Sequence, residues 1–266
     1  MKHGITASTA IFLLLVPPAF AQETGDSEVD AYLADNQRSL TLVAYGDFQT
    51  SASFSIGMSG NYFGLGSFGT TQAASAFRLA YGLSRRTEFY AELPYSWSRH
   101  TQSFLDDSSR STLQSGTMIV GFRSVLAFER DNRPEIVGTV AFSHPIGRSV
   151  SEPGMRFSID AYRMLDPVLL NFGLGVGVGL ETGATQFDLH GGVDFAISDR
   201  FSLGFDVNWA TDGQSFADPI RDGLSFTVSA SITSESGVST FSPFVSLGAS
   251  EGATDAVVGL NWARRW

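Results

Sequence analysis

Arg78, Glu88, Tyr90, Glu92, Arg123, Asp160, Asp188, His190, Asp194 and Asp206 alternate with apolar or small neighbours along the chain. A β-strand turns successive side chains to opposite faces, so ionisable groups spaced this way all project to one side of the sheet that carries them. If the sheet closes on itself, that side is a lumen. Acids outnumber bases in the set, and a ring of carboxylates lowers the entry cost of cations and raises that of anions. The same groups could instead form ion pairs, with Arg78 and Arg123 bracing the wall against Glu88 or Glu92 and fixing strand register. Both readings follow from the spacing.

Catalysis finds little support in the residue types. Past the first few residues the histidines are His100, His144 and His190. His144 closes an apolar run, is followed by Pro145-Ile146-Gly147, and has no serine of matching parity close by to form a nucleophile and base pair. There is no Gly-x-Ser-x-Gly elbow, phosphate loop or His-Glu-x-x-His pair. The chain has no cysteine, so it carries neither a disulfide framework nor a thiolate metal site. No catalytic residue, metal site or cofactor is expected. A formal net charge of −10 argues against nucleic acid as a partner, because phosphate binding needs a basic footprint.

The elements that would carry these groups are clearest at Val168 to Glu181. Val168, Leu170, Phe172, Leu174, Val176, Val178 and Leu180 share one parity, and Asn171, Gly173, Gly175, Gly177, Gly179 and Glu181 the other. One face is wholly apolar, the other small or polar. The pattern recurs near Leu40 to Phe48, Ala74 to Leu83, Thr87 to Ser98, Met118 to Glu129, Ile136 to His144, Met155 to Arg163, Phe187 to Ser198, Phe201 to Ala210, Leu224 to Thr233, Phe241 to Ser250 and Ala256 to Trp266. No helical segments remain to cover the apolar faces, so the expected cover is lipid. The fold expected is all-β, a transmembrane antiparallel up-and-down barrel of about twelve strands. A barrel of that size lies between the filled interior of about eight strands and the open channel of about sixteen. The glycine row at 173, 175, 177 and 179 favours an opening by removing bulk from one wall, or relieves crowding where the wall bends.

Connections alternate in length, with short links at Ser84 to Arg86, Arg130 to Arg133, Met164 to Pro167, Asp199-Arg200 and Glu235 to Ser239, and mostly longer ones between. That alternation places both termini in the periplasm. Lys2 and His3, the apolar stretch Ala10 to Val16 and Ala19-Phe20-Ala21 read as a signal peptide over 1–21. Residues 22–38 form an acidic leader in which Val29, Tyr32 and Leu33 have helical spacing, either a frayed lead or a periplasmic plug. The barrel domain is expected over 39–266. Its first strand is the least regular, since Leu40, Leu42 and Ala44 compete with Val43 and Tyr45 for the lipid face, and Ser51 to Gly69 reads either as more strand or as a Gly-rich loop.

Trp262 and Trp266 share the lipid-facing parity of the last strand with Val258 and Leu260, the pattern of an assembly signal for outer-membrane barrels. Arg264 interrupts that face, at a cost of about 0 to 1 kcal/mol near the interface against about 2 to 4 at the midplane.

Leu79-Ala80-Tyr81-Gly82-Leu83-Ser84 to Glu92-Leu93-Pro94-Tyr95, Gly121-Phe122 to Arg133-Pro134, Ser143-His144-Pro145-Ile146-Gly147 and Asp166-Pro167-Val168 together resemble the outer-membrane family named for the meta-pathway of phenol degradation, which is related to the barrel that exports functional-amyloid subunits. The resemblance implies an outer-membrane channel or transporter. The expected function is passage of small solutes, hydrophobic or aromatic compounds among them, through a narrow lumen. The alternatives are an export barrel for a secreted polypeptide such as an amyloid subunit, a structural or adhesive barrel, and a lipid-modifying barrel enzyme. The expected partners are outer-membrane lipid and the barrel-assembly machinery, with the oligomeric state, a homo-oligomer included, left open.

Overall fold

The computed structural model describes residues 39–63, 66–104, 107–130, 133–146, 152–212, 221–250 and 253–266. The signal peptide and leader expected over 1–38 lie outside the described residues. Twelve strands are present: β1 (Phe48–Phe63), β2 (Gly66–Gly82), β3 (Thr87–Phe104), β4 (Asp107–Ala127), β5 (Glu135–Ile146), β6 (Gly154–Leu165), β7 (Val168–Gly179), β8 (Thr185–Ser198), β9 (Phe201–Asp212), β10 (Arg221–Thr233), β11 (Ser239–Gly248) and β12 (Ala256–Arg265). Each pairs antiparallel with its neighbours in sequence, and β1 pairs with β12 to close the barrel. Closure satisfies the backbone groups that an open edge would leave bare, which is the condition for crossing a bilayer with strands.

Side chains follow the expected parity. Phe172, Leu174, Phe205, Val207, Phe226, Val228, Val258 and Leu260 are exposed on the outside, and the exposed large apolar side chains far outnumber the buried ones. Leaving a Val, Leu, Ile or Phe in water forfeits about 1.5–3 kcal/mol each, so an exterior built this way is matched to hydrocarbon. Gly173, Gly175, Gly177 and Gly179 are all buried on the inside of β7.

The first strand differs from expectation. Residues 40–47 are not in the wall, and β1 starts at Phe48. Ser51 to Gly69 is strand at every described position rather than a Gly-rich loop. Leu42 and Val43, adjacent in sequence, are both buried within the barrel, against Val125 and Val137 for the first and Ala80, Tyr90 and Ala141 for the second. A strand with one face in lipid cannot bury two consecutive side chains inward. A segment wedged against the inner wall can, which is why the apolar residues of this stretch showed no period.

β1 to β4 are 16, 17, 18 and 21 residues long, whereas the other strands have 10 to 14. Most of the chain between the strands expected at Leu40 to Phe48 and Ala74 to Leu83, and between those at Thr87 to Ser98 and Met118 to Glu129, is therefore strand, prolonging one arc of the wall past the rim at the long-hairpin end. The last strand ends on Arg265, and the backbones of Phe48 and Trp266 exchange hydrogen bonds of 3.4 and 2.9 Å at the short-turn end.

With its only edges joined, the barrel should resist detergent at room temperature. Unheated protein is expected to migrate faster on a denaturing gel than boiled protein. Equal mobility of the two samples would be incompatible with a closed wall.

Candidate functional site: the lumen

The ionisable residues singled out from sequence fall into two inner-wall clusters. The first lies near the short-turn end of β2 to β4. Glu88, 1% exposed, receives Arg78 Nη2 at 2.7 Å and Arg123 Nη1 at 3.1 Å on one carboxylate oxygen. Its other oxygen accepts the backbone N–H of Val43 at 2.8 Å. Arg78 also stacks on the ring of Tyr90, 4.1 Å from its centroid, and Arg123 Nη2 donates to Thr41 Oγ1 at 3.4 Å. Both arginines thus pair with Glu88 and not with Glu92, although Glu92 lies opposite Arg78 in register. The Tyr90 ring shares the Arg78 charge with the Glu88 carboxylate.

The second cluster spans β6 to β9. Asp160 lies 3.3 Å from His190 Nε2 and accepts the Ser158 hydroxyl at 3.0 Å. Asp188 pairs with Arg156, an inward base absent from the sequence-derived set. Asp206 accepts a long bond of 3.5 Å from Asn171 Nδ2. No ion pair to Asp194 or Asp206 occurs among the described residues. Asp194 lies opposite Gly204 and Asp206 opposite Gly192, so the two carboxylates are diagonal neighbours, a relation that separates side chains by about 7 to 8 Å.

Three glycines of β7 give their space to side chains of the adjoining wall. The volume a Cβ would take at Gly173 is occupied by Asp160 and His190, at Gly175 by Asp188, and at Gly179 by Glu152. Gly192 and Gly204 likewise give their space to Asp206 and Asp194. Glycine here lets the polar side chains of adjoining strands lie flat along the wall.

Two functional residues escaped the sequence reading. Arg156 shares the inward parity of Asp160 and was legible from that alone. Glu135, 0% exposed, begins β5 one residue before the strand expected there. It accepts the Ser39 hydroxyl at 2.8 Å, the Leu40 N–H at 3.0 Å and the Thr41 hydroxyl at 3.3 Å. A usable signal was the run of apolar residues on the otherwise polar parity, Val125, Val137 and Ala141, all buried inside the barrel.

Trp262 and Trp266 lie toward the end of the closing seam. Trp262 pairs with Ala52 and Phe241, and Trp266, 64% exposed, donates its indole N–H to Thr50 Oγ1 at 3.2 Å. The Arg264 guanidinium stacks 3.9 Å from the centroid of a Trp266 ring, which shelters the charge that interrupts the apolar face. His144 is exposed and stacks near Phe142, with 6.5 Å between centroids.

Apolar exterior, polar interior and a closed edge define a transmembrane β-barrel. Its fold is similar to that of an outer membrane channel from Pseudomonas putida F1, with a TM-score of 0.60 at 12% identity over 87% of this chain and 98% of that one. It is also similar to the translocator domain of the autotransporter NalP from Neisseria meningitidis, with a TM-score of 0.54 at 12% identity over 90% of this chain and 93% of that one. No protein-family model and no curated protein matches the sequence.

Proposed function

We propose that this protein is an outer-membrane channel for small solutes, oriented with its short turns and termini in the periplasm, and that its lumen favours cations. The observation that carries the reading is the inner wall of β8 to β12 and β1. It holds the carboxylates Asp194 and Asp206 with no ion-pairing partner among the described residues, and Asn208 and Asn261 there are exposed to water. The channel from Pseudomonas putida F1 has the same fold, and the resemblance to the phenol meta-pathway family points to the same class of activity. The proposal assigns no catalytic residue or cofactor. Trp262 and Trp266 act in it as the signal read by the assembly machinery, and lipid covers the exterior.

The test is the zero-current potential in planar bilayers across a salt gradient, for wild type and for the triple variant Asp188→Asn, Asp194→Asn, Asp206→Asn. Neutralising Asp188 also leaves the charge of Arg156 uncompensated. The cation-to-anion permeability ratio is expected to fall roughly fivefold, the effect of about 1 kcal/mol of Coulomb energy at water-like dielectric. An anion-selective wild type, or an unchanged potential in the variant, would reduce these residues to wall braces.

A further inference from the structure

The wall explains neither the burial of Glu135 nor the apolar residues that face inward on β2 to β5. We propose that the segment 39–47 is the constriction element of the pore and that Glu135 is the positioning residue that holds its leading end there, the Glu88 carboxylate on the Val43 N–H and Arg123 on Thr41 holding the part that follows. The proposal rests on the channel reading.

A buried carboxylate is costly unless charge-assisted hydrogen bonds surround it. Glu135 has no ion pair among the described residues, and the hydrogen bonds found for it come from Ser39, Leu40 and Thr41. A position that merely faced water would not be 0% exposed, and one that merely braced the wall would bond to a neighbouring strand. The next residues carry the segment deeper. Leu42 packs on Val125 and Val137, flanked by Phe128 and Tyr162, and Val43 packs on Ala80, Tyr90 and Ala141. The chain then returns to the rim, where the Gly46 N–H donates to the Gly82 carbonyl at 3.0 Å. The space beside Gly82 is filled by the Ala44 backbone, so a side chain at that position would collide with the returning segment.

The segment therefore covers the inner wall of β2 to β6 and leaves the opposite half, β8 through β12 to β1, open to water. On that half the hydroxyls of Thr227 and Ser246 bond each other at 2.9 Å, and those of Ser231 and Ser242 at 2.8 Å. They line the wall beside Asp194 and Asp206, with the inward ring of Phe244 lying over Gly259 between them. Solutes pass along this half only, and the segment, more than the strand number, sets the limiting cross-section.

The experiment uses Glu135→Gln, which keeps the volume of the side chain but replaces an acceptor oxygen with a donor amide. Its single-channel conductance is expected to rise, by up to roughly twofold, because the loosened leading end of the segment uncovers inner wall of a barrel whose bore scales with strand number. Linking Val43→Cys to Ala141→Cys in the Glu135→Gln background should return the conductance to the wild-type value. The chain has no cysteine, so that link is unique. Thiol labelling provides a readout independent of current: Val137→Cys should react slowly beside Glu135 and fast beside Gln, while Ser53→Cys on the open half reacts fast in both. Retained heat-modifiable mobility of each variant verifies that the wall is intact. Equal conductance of wild type and Glu135→Gln, or a rise that persists in the linked protein, would overturn the constriction. Absence of conductance from both would overturn the channel reading itself.

Discussion

Phe205→Arg is expected to abolish most of the folded barrel recovered from membranes, while Asp206→Arg, one residue away, leaves the yield near that of wild type. Phe205 lies in the middle of β9, 45% exposed on the outside and edge-on to Phe195 with 6.3 Å between ring centroids. An arginine there meets hydrocarbon at a cost of about 2 to 4 kcal/mol near the midplane. That is a large fraction of the stability margin of many proteins, which is about 5 to 15 kcal/mol. Asp206 faces the lumen, where water solvates an arginine and Asp194 is a diagonal neighbour. The measurement is the heat-modifiable fraction in isolated membranes. Comparable fractions for the two variants would mean that the two faces of β9 do not meet different solvents.

The second large effect is expected from Glu88→Ala, which strips Arg78, Arg123 and the Val43 N–H of a common acceptor. Breaking a buried pair by removing one partner costs about 3 to 5 kcal/mol, since the remaining charge stays desolvated. Arg78 keeps 30% side-chain exposure and softens the loss, whereas Arg123 keeps only 16%. Glu88→Ala should thus lower the temperature at which the folded gel band disappears by roughly 6 to 20 °C. Adding Arg123→Gln to Glu88→Ala should cost little more, because the partner's stranded charge is then gone and the two changes are not additive. If the single variant melts with wild type, the cluster contributes nothing to the wall.

Period two was legible wherever a strand separates two solvents. In β7, β9 and β10 one face meets lipid and the other water, so Phe172 beside Gly173 and Phe205 beside Asp206 declare the strand. The far ends of β1 to β4 lie past the rim, and a segment such as Asp107-Ser108-Ser109-Arg110-Ser111-Thr112 has no apolar face to reveal it. Residues 40–47 fail for the opposite reason, since protein surrounds Leu42 and Val43 on every side. Parity also gives the face without the partner. It placed Arg78, Arg123, Glu88 and Glu92 on one wall but could not tell which carboxylate takes both arginines, a matter of height and rotamer. The glycines of β7 were legible as missing bulk, yet what fills their space comes from β6, β8 and Glu152, whose alignment depends on register.

The seam between β1 and β12 differs from all other pairings in its reach. Eleven pairings join consecutive strands and can form as the chain arrives, while the twelfth brings Thr50 and Trp266 together across 216 residues. Drawing the ends of a flexible chain of that length together costs roughly 5 kcal/mol on the logarithmic closure law, a ceiling that the hairpins already formed bring down by curling the ribbon. That cost is recovered only when the ten residue pairs from Gln49↔Arg265 to Met58↔Ala256 engage. The barrel is thus a ribbon stitched last at its two hems. Until β12 pairs with both, β1 and β11 each offer a bare template to any other strand in reach.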